Sequence, residues 1–220
     1  MSAAATRSKQ LDDIEEYLRR LTEKCASDVR AAGLAATGDK GAAEGVMSGR
    51  KNEDRLRNAI EENCLDVMLL QQPLIGEDLR FVSGAFRIVS DLTHIDGMTR
   101  DIAFLVEEIP AKAAKKLTTE FTEMSECAAS MVEQAGAADV EGAQRVVEED
   151  NRVNELYDEV EGKLVELIRA GKSSAQYLPE LLMVAKYFER IGDLAKRVAA
   201  WAIFRVTGEH VVAEKASQQR

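Results

Sequence analysis

The side chains with most chemistry to offer lie in the run Glu189-Arg190-Ile191-Gly192-Asp193. Carboxylates four positions apart on a helix share one face, one turn apart, and repel each other unless a cation stands between them. Glu189 and Asp193 also interrupt a rather apolar stretch through Met183, Val184, Ile191 and Leu194. Upstream, Asp150, Asn154 and Asp158 repeat the four-residue spacing. Were the two segments antiparallel helices, four or five side-chain oxygens could converge, a donor set suited to magnesium, manganese or iron. The same residues also read as a solvated ion-pair face. Asp193 precedes Arg197 by one turn and Lys186 lies just before Glu189, and spacing alone favours this plainer reading.

No catalytic signature accompanies them. The sequence has no GxSxG, no HExxH and no paired ExxH of the kind a di-iron helical bundle needs, and the nearest approach is a single Asp91-Leu92-Thr93-His94. The stretch from Gly33 to Gly38 imitates a phosphate-binding loop, but Asp39 occupies the lysine position and the flanks are helical. It reads as a helix end. Trp201 and the methionines read as core filling, and His210 falls in a polar tail.

Six helices are needed to place these groups, and the apolar periodicity predicts six. Leu11, Ile14, Leu18, Leu21, Cys25 and Val29 mark a helix over 9–37, stopped at Gly38-Asp39-Lys40-Gly41. Val46, Leu56, Ile60, Cys64, Val67 and Met68 mark a second over 42–72, ended by Pro73. The third runs over 77–108 through Phe81, Phe86, Ile88, Leu92, Ile95 and Ile102, with Glu77 and Asp78 suited to its N-terminus. Gly84 and Gly97 lie inside it, each a cost of up to about 1 kcal/mol relative to Ala. Close helix approach or a site would explain them.

Past Pro110 the pattern repeats, with helices expected over 111–135, 140–170 and 174–206, punctuated by Gly136, Asp139, Gly171 and Gly208. Asp39 aligns with Asp139, Ala43 with Ala143, Val46 with Val146, Leu56 with Leu156, Ile60 with Val160 and Cys64 with Leu164 at one constant offset. In the third helices Ile95 falls on Ile191 and Ala103 on Ala199. The expected architecture is all-α: two tandem similar three-helix bundles over 7–109 and 110–208, each able to bury its own core, and a frayed tail over 209–220.

Composition narrows the partners. Among 220 residues, 39 acids outweigh 29 bases for a formal charge of −10. Nucleic acid and anionic membranes both reward cationic surfaces, so neither is an expected direct partner. Cys25, Cys64 and Cys127 are odd in number and widely spaced. That argues against a disulfide framework and fits a reducing compartment. The opening MSAAATRSKQLDD has no apolar core, and no stretch approaches the roughly 20 residues of a membrane span. A cytoplasmic protein is expected.

Several strings then resemble one family. Cys64-Leu65-Asp66-Val67-Met68-Leu69-Leu70-Gln71-Gln72-Pro73, followed by Asp78-Leu79-Arg80 and Arg87-Ile88-Val89-Ser90-Asp91-Leu92, is similar to the first half of the PhoU pattern. That pattern reads CLxLLxLQQP, then DLR, then KIxxDLERIGDLAxNIA. Tyr187-Phe188-Glu189-Arg190-Ile191-Gly192-Asp193-Leu194-Ala195 resembles its second ERIGD signature. The resemblance spans about 7–208 and implies a non-enzymatic, cytoplasmic helical regulator. Such a protein restrains phosphate uptake and the phosphate-starvation response by contacting the ATPase subunit of a phosphate-specific ABC transporter and a sensor histidine kinase. It would meet the membrane only through that transporter and would form a homodimer.

The resemblance also implies iron, zinc, magnesium or manganese at the ExxxD motif of each half. Glu189 and Asp193 inherit that role, with Asp150, Asn154 and Asp158 in support. The first half departs from the pattern, with Thr93 for Glu, His94 for Arg, Asp96-Gly97 for Gly-Asp and Asp101 for Asn. Its site is therefore either lost or rebuilt from Asp91, His94, Asp101 and Asp54. Two other readings stay open: a metal-binding carboxylate bundle, and an adaptor or chaperone for another transporter.

Overall fold

Apolar residues every third or fourth position, in a chain poor in proline and aromatic side chains, commit it to long helices. The computed structural model describes residues 3–70, 74, 76–136, 140–170 and 176–209. Gln71-Gln72-Pro73, Asp139, Gly171 and the tail from His210 lie outside them. The helices are α1 (Ala3–Ala36), α2 (Lys40–Leu70), α3 (Glu77–Val106), the single turn α4 (Ala111–Ala114), α5 (Thr118–Gly136), α6 (Val140–Arg169) and α7 (Leu178–Thr207). No strand occurs among the described residues.

The helix ends follow local chemistry. Gly38 takes φ 108°, which L side chains rarely adopt, and turns the chain out of α1. Asp39 then caps α2, its Oδ1 accepting from the Ala42 amide at 3.0 Å. Gly208, at φ 79°, closes α7 by donating to the Phe204 carbonyl. Two expected spans are corrected. The helix after Pro110 is one turn and then a 3-10 segment, Lys115–Leu117, before α5 begins at Thr118. The expected start at 174 lies outside the described residues, and the last α-helix begins at Leu178, past 176 and 177, because Pro179 lacks an amide hydrogen and fits only a first turn.

Four helices form a ring in which α1 packs on α3, α3 on α7, α7 on α5 and α5 on α1; α2 lies against α1 and α3, and α6 against α5 and α7. The joins between halves, α1–α5 and α3–α7, are antiparallel. Along the first, Thr22 faces Gly136 and Gly33 faces Ser125; along the second, Gly84 faces Arg205. Each half is a three-helix unit, yet the buried side chains make one continuous cluster, from Ile14 and Leu21 through Phe121 to Phe188 and Val198. The core runs through both repeats.

Gly84 has the close approach its position suggested. A Cβ there would lie 3.0 Å from the Arg205 Cβ and 3.4 Å from the Trp201 carbonyl. Gly97 is different, since a Cβ there would meet nothing within 4 Å. Cys25 and Cys64 are buried and Cys127 is half-buried, all with free thiols. Trp201 is half-buried, with the Arg87 guanidinium over its ring and Phe204 against its edge.

Candidate functional site

The second half brings its acids to α6 and α7. Glu189 is half-buried and ion-paired with Lys186, while Asp193 is 58% exposed. Behind them Asp150, on α6, is buried. The Lys196 ammonium sits between the two helices, 2.7 Å from an Asp150 oxygen and 2.8 Å from an Asp193 oxygen. Burial alone would lower the Lys196 pKa, but its hydrogen bonds to Asp150 and Asp193 win and raise it, fixing the charge. Asn154 donates to Asp150 at 3.2 Å. Asp158 is exposed on the next turn of α6.

The helices therefore converge on a cation, and that cation is a lysine. A metal ion at Glu189 and Asp193 would have to compete with Lys186 and Lys196 for the same oxygens. These residues fit an acid–lysine face better than a metal cage. The expected Asp193–Arg197 pair is not formed. Arg197 instead crosses to α3, where it lies 2.8 Å from buried Asp91.

The four first-half candidates go to separate places. Asp91 belongs to the α3–α7 seam, where burial raises its pKa against the pull of Arg197. Asp101 lies further along the same seam beside Tyr187, whose hydroxyl pKa burial and the Asp101 charge push up. Under the repeat, Asp91 corresponds to Tyr187 and Asp101 to Arg197, so the two pairs occupy matching positions about the centre of the crossing. Asp54 faces Arg50 and Arg57 on the outside of α2. His94 is exposed.

A different trio comes together in the first half. Asp28, Glu53 and Asp96, from α1, α2 and α3, each offer an oxygen within 4.8 Å of the others, and all three are buried. Lys24 pairs with Asp28 and Glu53, and Arg100 pairs with Glu53 and Asp96. Three carboxylates thus face two cations. Burial pushes the Asp28 carboxyl up to about 6 and Asp96 up to about 7, where the neighbouring Glu53 adds to the effect. Burial also acts on Glu53, but its contacts with Lys24 outweigh it and hold the group below the ordinary glutamate range.

Asp96 takes the place that Gly192 holds in the second half, where a Cβ would already press on Met131 Cε at 3.3 Å. Val153 stands where the first half has Glu53, and it is buried in the core. The acidic trio is therefore peculiar to the first repeat. Sequence reasoning missed Asp28 and Glu53, although a signal existed. Val46, Glu53, Ile60 and Val67 recur every seven residues on α2, and all are buried. An acid in such a stripe needs buried partners.

Comparison with known proteins matches this geometry to one group. The model of the "PhoU domain" matches residues 18–106 and again 121–202. "Phosphate-specific transport system accessory protein PhoU homolog" of Aquifex aeolicus is 30% identical over 177 residues, covering 77% of this chain and 78% of its own. The Clostridium acetobutylicum protein of the same name is 29% identical, covering 79% and 81%. Among solved structures, PhoU from Pseudomonas aeruginosa superposes with a TM-score of 0.77 at 22% identity, covering 92% of this chain and 99% of that one. The phosphate transport system regulatory protein PhoU from Streptococcus pneumoniae gives 0.79 at 21%, covering 94% and 99%.

Proposed function

The chain belongs to the PhoU family, and we propose that it is an accessory protein of a phosphate-specific transport system. In this reading it restrains phosphate uptake and the phosphate-starvation response by contacting the transporter's ATPase subunit and a sensor histidine kinase. The observation that carries the reading is the twofold match of the family model, one match on each three-helix unit. Relatives aligned over most of their length carry the accessory-protein name.

The side chains support a protein that works by contact. Glu189, Asp193 and Asp150 are already met by lysines, and the first-half trio is buried with Lys24 and Arg100. No reaction is assigned to either group, and the reading needs no metal. The formal charge of −10 suits a basic protein surface as partner, with complementarity acting on specificity and association rate more than on raw affinity. A cytoplasmic location and a homodimer belong to the same proposal.

The test pairs a deletion strain with a pull-down. Loss of the protein should derepress phosphate uptake and alkaline phosphatase in phosphate-rich medium, and the purified protein should retain the transporter's ATPase subunit. Unchanged uptake and phosphatase output in the deletion strain would refute the reading.

A further inference from the structure

Where α1 turns into α2 and α3 ends, two apolar hollows of about 460 and 360 Å³ flank Phe104. Both are lined by Phe104, Glu107 and Ile109, so they form one groove with Phe104 as its ridge. Phe104 is 68% exposed and Met47, inside the larger hollow, is 48% exposed. Elsewhere on this part of α3, Leu92, Ile95 and Ile102 are buried and Met98, Leu105 and Val106 are half-buried against the core. A phenylalanine held outward on a packed helix leaves apolar surface in water unless something covers it.

The rim says what kind of surface would cover it. Asp39, Glu44, Glu107, Glu108 and Glu180 set five carboxylates around the hollows, against the single ammonium of Lys40 among the lining residues. A second copy docked symmetrically would lay this rim against itself, like charge on like. A strand is no better matched, because the walls are helices and present no sheet edge. An amphipathic helix suits paired hollows, since residues three or four apart can straddle a ridge.

We infer that this groove receives a basic amphipathic helix of the transporter's ATPase subunit, with two apolar anchors beside Phe104 and lysines or arginines against the rim. The inference rests on the transporter reading above and adds to it the surface and the chemistry of contact.

The experiment measures binding of the full-length protein to the purified phosphate transporter complex across a salt series. Phe104→Ala should weaken binding by about tenfold or more, as truncation of a central aromatic anchor does. Glu107→Lys with Glu108→Lys should slow association and flatten its salt dependence. Leu69→Ala and Val206→Ala, exposed apolar positions at the other end of the body, should bind as the parent does. Phe104 is so exposed that its truncation should leave the melting temperature unchanged. A parent protein that binds while Phe104→Ala binds equally well overturns the inference and leaves the transporter reading standing. A changed sedimentation coefficient for Phe104→Ala alone would show contact between copies and also overturn it. A parent protein that fails to bind refutes the transporter reading, and this inference with it.

Discussion

At the scale of residues, a one-position shift separates the two halves. Asp96-Gly97 stands where the second half has Gly192-Asp193. One residue turns a helix by about 100°, which carries the carboxylate from the open surface at Gly97 into the contact of α1, α2 and α3. There the trio Asp28, Glu53 and Asp96 shares Lys24 and Arg100, three carboxylates against two cations. Asp96 has its pKa raised to about 7 and Asp28 to about 6. An acid raised in the folded state binds its proton more tightly folded than unfolded. Stability therefore rises as pH falls through the folded value towards the ordinary aspartate range, and is lost as pH climbs back. Glu53, held low, acts oppositely only at more acidic pH. The protein should melt higher at pH 5.5 than at pH 8, its unfolding free energy being larger by an amount on the order of 1–2 kcal/mol. Asp96→Asn, which cannot ionise, should flatten that slope in thermal melts. A variant keeping the parent's slope would show that Asp96 is not the titrating group. The sequence pointed to Glu189, Asp193 and Asp150 because local spacing marks them. It could not show that Arg197 leaves Asp193 for Asp91, since that choice depends on how α3 crosses α7.

At the scale of elements, the helices were legible and their crossings were not. Apolar periodicity located all six long helices, and Gly38 and Gly208 ended two of them through left-handed backbone. Pro179 marks the start of α7, where its missing amide hydrogen leaves no helical bond unmade. Crossing points are set by residues that do nothing locally. Gly33 lies near the end of α1, where an added Cβ would stand 2.0 Å from Ser125 Oγ and 2.3 Å from its Cβ on α5. The hydroxyl could rotate away, but the Cβ is fixed to the backbone, so the helices themselves would have to part. In an unhindered helix, Gly→Ala gains up to about 1 kcal/mol. At this crossing Gly33→Ala should instead destabilise the protein by about 1–3 kcal/mol, the usual range for overpacking. Urea denaturation measures the loss. A double-mutant cycle with Ser125→Gly, which removes the opposing Cβ, should recover part of it as a coupling between the two sites. Equal stability of Gly33→Ala and the parent would mean that α1 and α5 are not held at this distance.

At the scale of the whole molecule, the repeat suggested two bundles each with its own core, and packing runs one continuous core through both. The ring of four helices joins the halves at α1–α5 and α3–α7, and the buried side chains form a single cluster across both. Charges cross the same boundary. Asp91 is only 2% exposed and its cation, Arg197, comes from the other half. Arg205 is also buried and reaches back to Glu15 on α1. Dividing the chain between 109 and 110 would expose the apolar faces of four helices and leave Asp91 and Arg205 without their partners. The apolar faces carry most of that loss, at about 25 cal/mol for each Å² returned to water, against the about 5–15 kcal/mol that stabilises a typical domain. The intact chain should therefore unfold in one transition, seen alike by circular dichroism and by Trp201 fluorescence. Fragments 1–109 and 110–220, expressed separately, should melt broadly or self-associate. Mixed together they should regain a sharp transition, because each supplies the faces and the counter-charges the other lacks. A single fragment that remains monomeric and melts as sharply as the whole chain, at the same temperature, would show that each repeat is stable on its own and that the α3–α7 seam is a docking contact.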